Sequence, residues 1–440
     1  RKLLTLGVVI CLVAGLVAGI VYYKQVEEER KLSLIYIPKV VDGTNDFWTS
    51  LIQGAEMAAK EYNIKKVFVP FQNAYEGSVV DGVDVLPAKN VMDVLAHIKG
   101  EKVIESVKYD FDAEEETKYN VDFSDVKGQD QAKRALEIAA AGGHNCLLIG
   151  PPGSGKSMLA KRLPTILPDM TFEERLETSK VYSIAGKIPS GKSLVTKRPF
   201  RSPHHTVSAQ ALTGGGANPK PGEISLAHNG VMFMDEFPEF DRRAKESLRQ
   251  PLEDGVVTIS RAAGTFTYPS NIMLVAAMNP CPCGYFGHPT RQCTCSPAAK
   301  KRYQDKVSGP LLDRIDIHVE VAPVEYNELS DNNEGEKSSD IKKRVDKARA
   351  IQQKRFAGTG ITCNAKMTPK MTKECCVLSE EADELLHESF DNFSMSARAY
   401  DKVLRLARTI ADLADSEEIK LEHIAEALQF RALDRKYWEV

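Results

Sequence analysis

The stretch CLLIGPPGSGKS, Cys146 to Ser157, decides the fold. Four apolar residues suited to a buried strand lead into a glycine-rich turn, and a helical run follows. Gly150, Gly155, Lys156 and Ser157 spell G-x-x-x-x-G-K-[ST] in the strand-turn-helix context that the pattern requires. Pro151, Pro152, Gly153 and Ser154 complete the loop. Glycines let successive backbone N–H groups turn inward around phosphates, and a helix N-terminus favours negative charge. Lys156 then reaches the β- and γ-phosphates and Ser157 ligates Mg2+, so the stretch predicts a site for ATP and Mg2+. The bland alternative, a flexible Gly/Pro turn, does not explain the flanking strand and helix.

Outward from the loop, GVMFMDEF (Gly230 to Phe237) reads as a second apolar strand ending in paired acids. Beside a phosphate loop, Asp235 is expected to hold the Mg2+ shell and Glu236 to orient and deprotonate the attacking water. IMLVAAMN is a third buried strand, ending in Asn279, which can hydrogen-bond both the lytic water and the γ-phosphate; a capping Asn is the alternative. Alternating apolar strands and helices from Val121 to about Pro323 imply an α/β core with a parallel sheet. Helical periodicity over Ile341–Phe356, Ser379–Phe390, Ala397–Leu413 and Leu421–Phe430 predicts a small all-helical C-terminal domain, residues 324–440.

The whole chain sets limits. Its 440 residues exceed one hydrophobic core. With 42% hydrophobic and 27% charged residues and a net charge of -3, it is not a generally basic nucleic-acid coat, so any polyanion site is local. Nine cysteines in this length do not make a secreted disulfide framework. Four of them cluster as Cys281, Cys283, Cys293 and Cys295, a set suited to tetrahedral Zn2+ with His288 as a substitute ligand. Reduced thiols without metal, or redox chemistry, are the other readings.

At the front, LLTLGVVICLVAGLVAGIVYY (Leu3 to Tyr23) is long enough to span a bilayer, and Arg1 and Lys2 put its N-terminus inside. A membrane anchor over residues 1–30 is expected; a signal peptide would look similar, although no A-x-A-like site follows. Residues 31–64 form one βα unit. A short strand KKVFVP, another at Gly82–Leu86 and a helix over Lys89–Ile98 occupy residues 65–98, and residues 99–120 read as a linker with an acidic run, Asp110 to Glu116.

Together DFSDVKGQ (Asp122 to Gln129), GPPGSGKS, PHHTVSAQALTGGG, GEISLAHNGVMFMDE, LRQPLEDG, ISRAAGTFTYP, AAMNPCPCG and SGPLLDRIDIHVEV resemble AAA+ ATPases of the magnesium-chelatase-like ComM/YifB type. The resemblance implies a P-loop core with a helical lid, in a homo-oligomeric ring, usually a hexamer, with ATP between subunits. It implies that Val126 and Gln129 lie near the adenine, that Asn279 is sensor 1, that Arg314 is the arginine finger offered to the neighbour's ATP, and that Arg398 is sensor 2. It also implies branch migration on DNA during homologous recombination, notably in natural transformation, and a cytoplasmic ATPase.

Two basic segments fit a DNA role. Val256 to Pro269 reads as a hairpin with Arg261 near its tip, and KRPFRSPHHT collects Lys197, Arg198, Arg201, His204 and His205 for a pore. Two charged surface loops are the plainer reading. Contacts of this kind would be to backbone, without base specificity. Residues 31–64 instead resemble the opening of periplasmic sugar-binding proteins, and Val67–Ile98 resembles the end of a Lon-protease-like domain. An N-in anchor would carry an ATPase away from ATP, so the chain reads as a fusion. A chelatase-type remodelling ATPase and a membrane-tethered binding module are the competing functions.

Overall fold

The computed structural model describes residues 66–71, 74, 84–107, 119–188, 194–216, 219–261, 264–323, 335–392, 395–431, 433 and 437–438. The anchor over residues 1–30, the βα unit over 31–64 and the acidic run lie outside the described residues. Among the described residues no helix is long and apolar enough to cross a membrane. The chain divides into two compact units, residues 1–116 with 188–194 and residues 117–187 with 195–440.

In the first unit β1 (Lys66–Pro70) and β2 (Asp84–Ala88) pair in parallel, and α1 (Val91–Ile98) follows. Asn90 caps α1 by accepting from the Asp93 N–H at 3.0 Å. Phe68, Leu86, Ala88 and Val94 make a small core, while Met92 and Val103 stay 70% and 78% exposed. The described residues of this unit therefore leave apolar side chains in water.

The second unit carries the site. After α2 (Asp130–Gly142), the phosphate-loop strand β3 (Cys146–Ile149) leads into α3 (Lys156–Arg162) and then α4 (Phe172–Ile184). Thr171 and Glu174 cap α4 reciprocally, each side chain accepting from the other's backbone N–H. Next come β4 (Phe200–Arg201), α5 (Ala209–Thr213), the short pair β5 (Gly214–Gly215) and β6 (Lys220–Pro221), and α6 (Glu223–Leu226). The acid-bearing strand β7 (Val231–Met234) is followed by α7 (Arg242–Glu246) and α8 (Arg249–Asp254). The expected hairpin is present as antiparallel β8 (Val256–Arg261) and β9 (Gly264–Pro269). Strand β10 (Met273–Met278), α9 (Pro297–Gln304), α10 (Gly309–Leu312) and β11 (Ile317–Glu320) complete the α/β part.

Five strands form one parallel sheet in the order β11-β3-β10-β7-β4. Successive strand side chains alternate between faces. Accordingly Cys146, Leu148, Val231, Phe233, Val275, Ala277, Ile317 and Val319 enter one core, and Leu147, Ile149, Met232, Met234, Leu274, Ala276 and Met278 enter the other. Both faces are covered, which is why these strands read as unbroken apolar runs. Because the strands are parallel, the loops after β3, β7 and β10 all leave at one edge, where ligands of open α/β sheets bind.

The C-terminal region is helical as expected: α11 (Ser338–Arg355), α12 (Pro369–Cys375), α13 (Glu380–Asn392), α14 (Ala397–Leu413) and α15 (Leu421–Gln429). Helix α12 was not expected from periodicity, since seven residues make too few turns to show one; its Thr368 cap and Pro369 at the first turn are the only local signals. Val345, Leu406, Ala407 and Ile410 join the same core as Ala135, Leu136 and Leu148, so these helices pack on the sheet's first face through α2.

Candidate nucleotide site

The loop after β3 has the backbone that phosphate wrapping needs. Gly153 and Gly155 take φ of 80° and 90°, a left-handed region that favours glycine. At Gly150 a Cβ would stand 2.3 Å from the Val321 carbonyl oxygen, so the loop lies against β11's end and admits no side chain there. Lys156, 8% exposed, turns back into the loop and donates to the carbonyls of Gly150 at 2.9 Å and Pro151 at 2.8 Å. Burial pushes its ammonium down to about 8, against the pull of Asp235.

The other expected residues converge on Lys156 from neighbouring strands. Asn279, the first residue past β10, accepts from Lys156 Nζ at 3.3 Å. Ser157 donates to Asp235 at 2.5 Å, bringing a hydroxyl and a carboxylate oxygen together, a hard-donor pair that suits Mg2+ completed by water and phosphate. Glu236 sits at φ 51° and ψ 43°, a strained conformation for a non-glycine residue, and Asp235 holds its backbone N–H at 2.9 Å. A cleft of about 550 Å3 lies among these groups and is lined also by Pro282, Arg302 and Tyr303. On the other flank Gln129, also left-handed at φ 63°, donates to the carbonyls of Ala322 at 2.5 Å and Ser154 at 3.4 Å; Val126 is fully buried beneath.

Arg314 and Arg398 are not brought to this cleft. Ile317 is in register with Cys146, so Arg314 lies at the edge of the sheet opposite the phosphate loop, where its carbonyl accepts from Asn145 at 2.8 Å. Its guanidinium pairs with Glu253 of α8 and donates to Pro310 O at 2.5 Å. Arg398 is exposed at the start of α14, and its charge, like that of Arg314, helps hold the Glu253 carboxyl below the ordinary range. One turn further on, Lys402 donates to Ile315 O at 3.1 Å and pairs with Asp316 at 3.3 Å. The two arginines therefore share one surface, away from their own chain's phosphate loop.

The basic segment Lys197–Thr206 is corrected by the structure. Arg198 is consumed by Glu174 at 2.7 Å and by the carbonyls of Pro168 and Asn229, and Arg201 by Glu223. Lys197 lies over the Tyr119 ring, and His205 approaches Glu236 at 3.0 Å, with the His204 ring tilted against that of His205. Arg198 and Arg201 are thus internal clamps, whereas Lys197 and His204 stay exposed. Arg261, by contrast, is exposed at the end of β8, beside the hairpin tip.

The four cysteine sulfurs lie within 4.8 Å of one another, with separations of 3.4, 3.7 and 3.6 Å for 281–283, 281–293 and 283–293. A tetrahedron with sulfurs about 2.3 Å from zinc has edges of roughly 3.8 Å, so the set has the size of a closed zinc site. His288 does not substitute for a sulfur: its Nδ1 accepts from the N–H groups of Thr290 at 3.2 Å and Arg291 at 3.1 Å.

Sequence reading missed a buried polar network. Asp412 accepts from Arg355 at 2.5 and 2.8 Å, from Arg408 at 3.0 Å and from Asn364 at 2.8 Å, and Arg408 and Asp412 are each 1% exposed. Thr409 carries the network to His144 at 2.8 Å, and His144 to Asp316. Burial alone would raise the Asp316 carboxyl, but Lys402, His144 and the Asn145 N–H hold it well below the usual range. The i, i+4 spacing of Arg408 and Asp412 was the available signal, and it looks like any solvated helix pair.

Comparison with known proteins shows the family of the chain. The family profile "Magnesium chelatase, subunit ChlI" matches residues 122–329, and "Magnesium chelatase, subunit ChlI C-terminal" matches residues 335–431. YifB of Escherichia coli is 43% identical over 373 residues, covering 84% of this chain and 72% of its own. The competence protein ComM of Haemophilus influenzae is 41% identical over 386 residues, covering 86% and 74%. More distantly, the maternal DNA replication licensing factor mcm6 of Xenopus tropicalis is 21% identical over 345 residues, covering 71% and 36%.

Proposed function

The chain belongs to the magnesium-chelatase-like AAA+ ATPases of the ComM/YifB type, and from that premise we propose that it hydrolyses ATP as a ring-forming motor acting on DNA, driving branch migration in recombination. The observation that carries the ATPase reading is the convergence of Lys156, Ser157, Asp235, Glu236 and Asn279 on one cleft. Lys156 gives up its two loop carbonyls to the phosphates. Ser157 and Asp235 would hold Mg2+, which would neutralise charge on the phosphate oxygens. Glu236, more than half exposed to the cleft, takes a proton from the attacking water that Asn279 orients.

Arg314 and Arg398 act on the neighbouring subunit's nucleotide, because their shared surface lies across the sheet from their own phosphate loop. Hydrolysis then requires assembly, and a hexamer is the ring we favour. The residues that split the core from the lid domain are about 323 and 324, and the ATPase works in the cytoplasm. The DNA part draws on the ComM name and the exposed hairpin with Arg261, whose contacts would be to phosphates and therefore salt-sensitive. Cys281, Cys283, Cys293 and Cys295 hold a structural Zn2+; four sulfurs leave no open position for catalysis.

A remodelling ATPase that acts on a protein partner is the second reading, favoured by the magnesium-chelatase family match. ATP turnover of the assembled protein with and without forked DNA separates the two. The DNA reading expects stimulation that declines with salt, and unchanged turnover would refute it. Glu236→Gln should abolish turnover in either case while nucleotide binding survives; retained turnover would remove Glu236 from the mechanism.

A further inference from the structure

The segment Asn279–Gly284 alternates two tasks. Asn279 meets Lys156, Pro282 lines the cleft, and Gly284 abuts the phosphate loop, while Cys281 and Cys283 between them belong to the sulfur cluster. The approach at Gly284 is close: φ is 84°, and a Cβ there would stand 2.5 Å from Cδ and 3.2 Å from Cγ of Pro152. Gly284 is in turn fixed to the cluster, since its N–H donates to Cys281 O at 2.9 Å. The second cysteine pair anchors the opposite wall. Cys295 accepts from the Cys283 N–H at 3.3 Å, and the next residue, Ser296, caps α9 by accepting from Ala299 N–H. Helix α9 carries Arg302 and Tyr303, which line the same cleft as Asn279.

We infer that the four-cysteine centre is a support of the nucleotide cleft, pinning the Pro152 side of the phosphate loop and the α9 wall to one point. This rests on the zinc and ATP readings above. With the sulfurs tied, Gly284 is a fixed abutment for Pro152, and the cleft is formed before nucleotide arrives. With the sulfurs untied, the thirteen residues between Cys281 and Cys295 lose their common anchor, and each binding event must order them. Asn279, Pro282, Gly284 and α9 are therefore positioning elements that act through the cysteines.

Two variants of the full chain test this. The double variant Cys293→Ser/Cys295→Ser removes two ligands, and Gly284→Ala leaves all four sulfurs but fills the gap against Pro152 in a backbone conformation that alanine resists. Zinc content is read by metal analysis, and affinity by a fluorescent, non-hydrolysed ATP analogue; circular dichroism reports folding. We expect about one zinc per chain in the unaltered protein and in Gly284→Ala, little in the double variant, and analogue binding weaker on the order of ten-fold in both with the helical signal kept. Zinc lost in the double variant, with analogue affinity unchanged there and in Gly284→Ala, overturns the support while leaving the zinc reading intact. An unaltered protein without zinc overturns the metal centre itself, and analogue binding that fails in the unaltered protein overturns the ATP reading.

Discussion

Mixing two inactive variants tests the placement of Arg314. About 10 Å of strand separates the register of Cys146 and Ile317 from the phosphate-loop end of β3, and Arg314 lies beyond the near end. Its side chain cannot cross that span to its own γ-phosphate. An arginine supplied across an interface stabilises the charge of the transferring phosphoryl group and is worth about 10^3 to 10^5 in turnover. Arg314→Ala should therefore lose turnover on the order of a thousand-fold or more, with ATP affinity changed little. Lys156→Ala should be inactive because it cannot hold the phosphates, yet it still offers Arg314. In a one-to-one mixture an active interface needs Lys156 on one side and Arg314 on the other, which random assembly supplies at about a quarter of interfaces. Phosphate release from the mixture should thus rise to about a quarter of the unaltered rate, a gain of a hundred-fold or more over either variant. If rings form in the mixture, as judged by mass, and turnover stays at the level of the separate variants, the trans assignment of Arg314 is refuted. Arg398→Ala, tested in the same way, should behave as Arg314→Ala does.

Asp412→Ala should destabilise the ATPase unit by about 3–5 kcal/mol, because Arg408 and Arg355 lose a shared, fully buried carboxylate; chemical denaturation checks this, with a fall in Tm of roughly 10 °C. A loss near zero would mean that water reaches the site. Lys156 carries a pH signature: with its folded pKa near 8, nucleotide affinity should weaken as pH rises through about 8, and Lys156→Arg should flatten that slope between pH 7 and 9.5 by titration with the same analogue. The sign for stability is opposite. The folded value lies below the ordinary lysine value of 10.5, so the unfolded chain holds more protons between about 8 and 10.5, and this group's contribution to stability rises with pH across that window.

Much of the site was legible before folding because its chemistry is local. A phosphate loop is a run of backbone N–H groups made possible by particular glycines, and Lys156 and Ser157 follow at fixed offsets. Asp235, Glu236 and Asn279 could be read because each ends a strand, and strand ends of a parallel sheet meet at one edge. The hairpin and cysteine spacing were visible for the same reason.

Charges whose partners are distant in the chain were not legible. Arg198 and Arg201 looked like a basic patch until Glu174 and Glu223, more than twenty positions away, proved to hold them. The Arg408–Asp412 pair has the spacing of a solvated helix pair, yet α11 supplies Arg355 and the pair is buried. Gly284 was one glycine in a loop until the fold laid it on Pro152. Sequence alone could name the nucleotide-handling residues, since their roles follow from backbone geometry within a few positions. Which arginine reaches which phosphate, and what the cysteines hold in place, depends on long-range packing, because a charge or a close contact acquires its meaning from the group it faces.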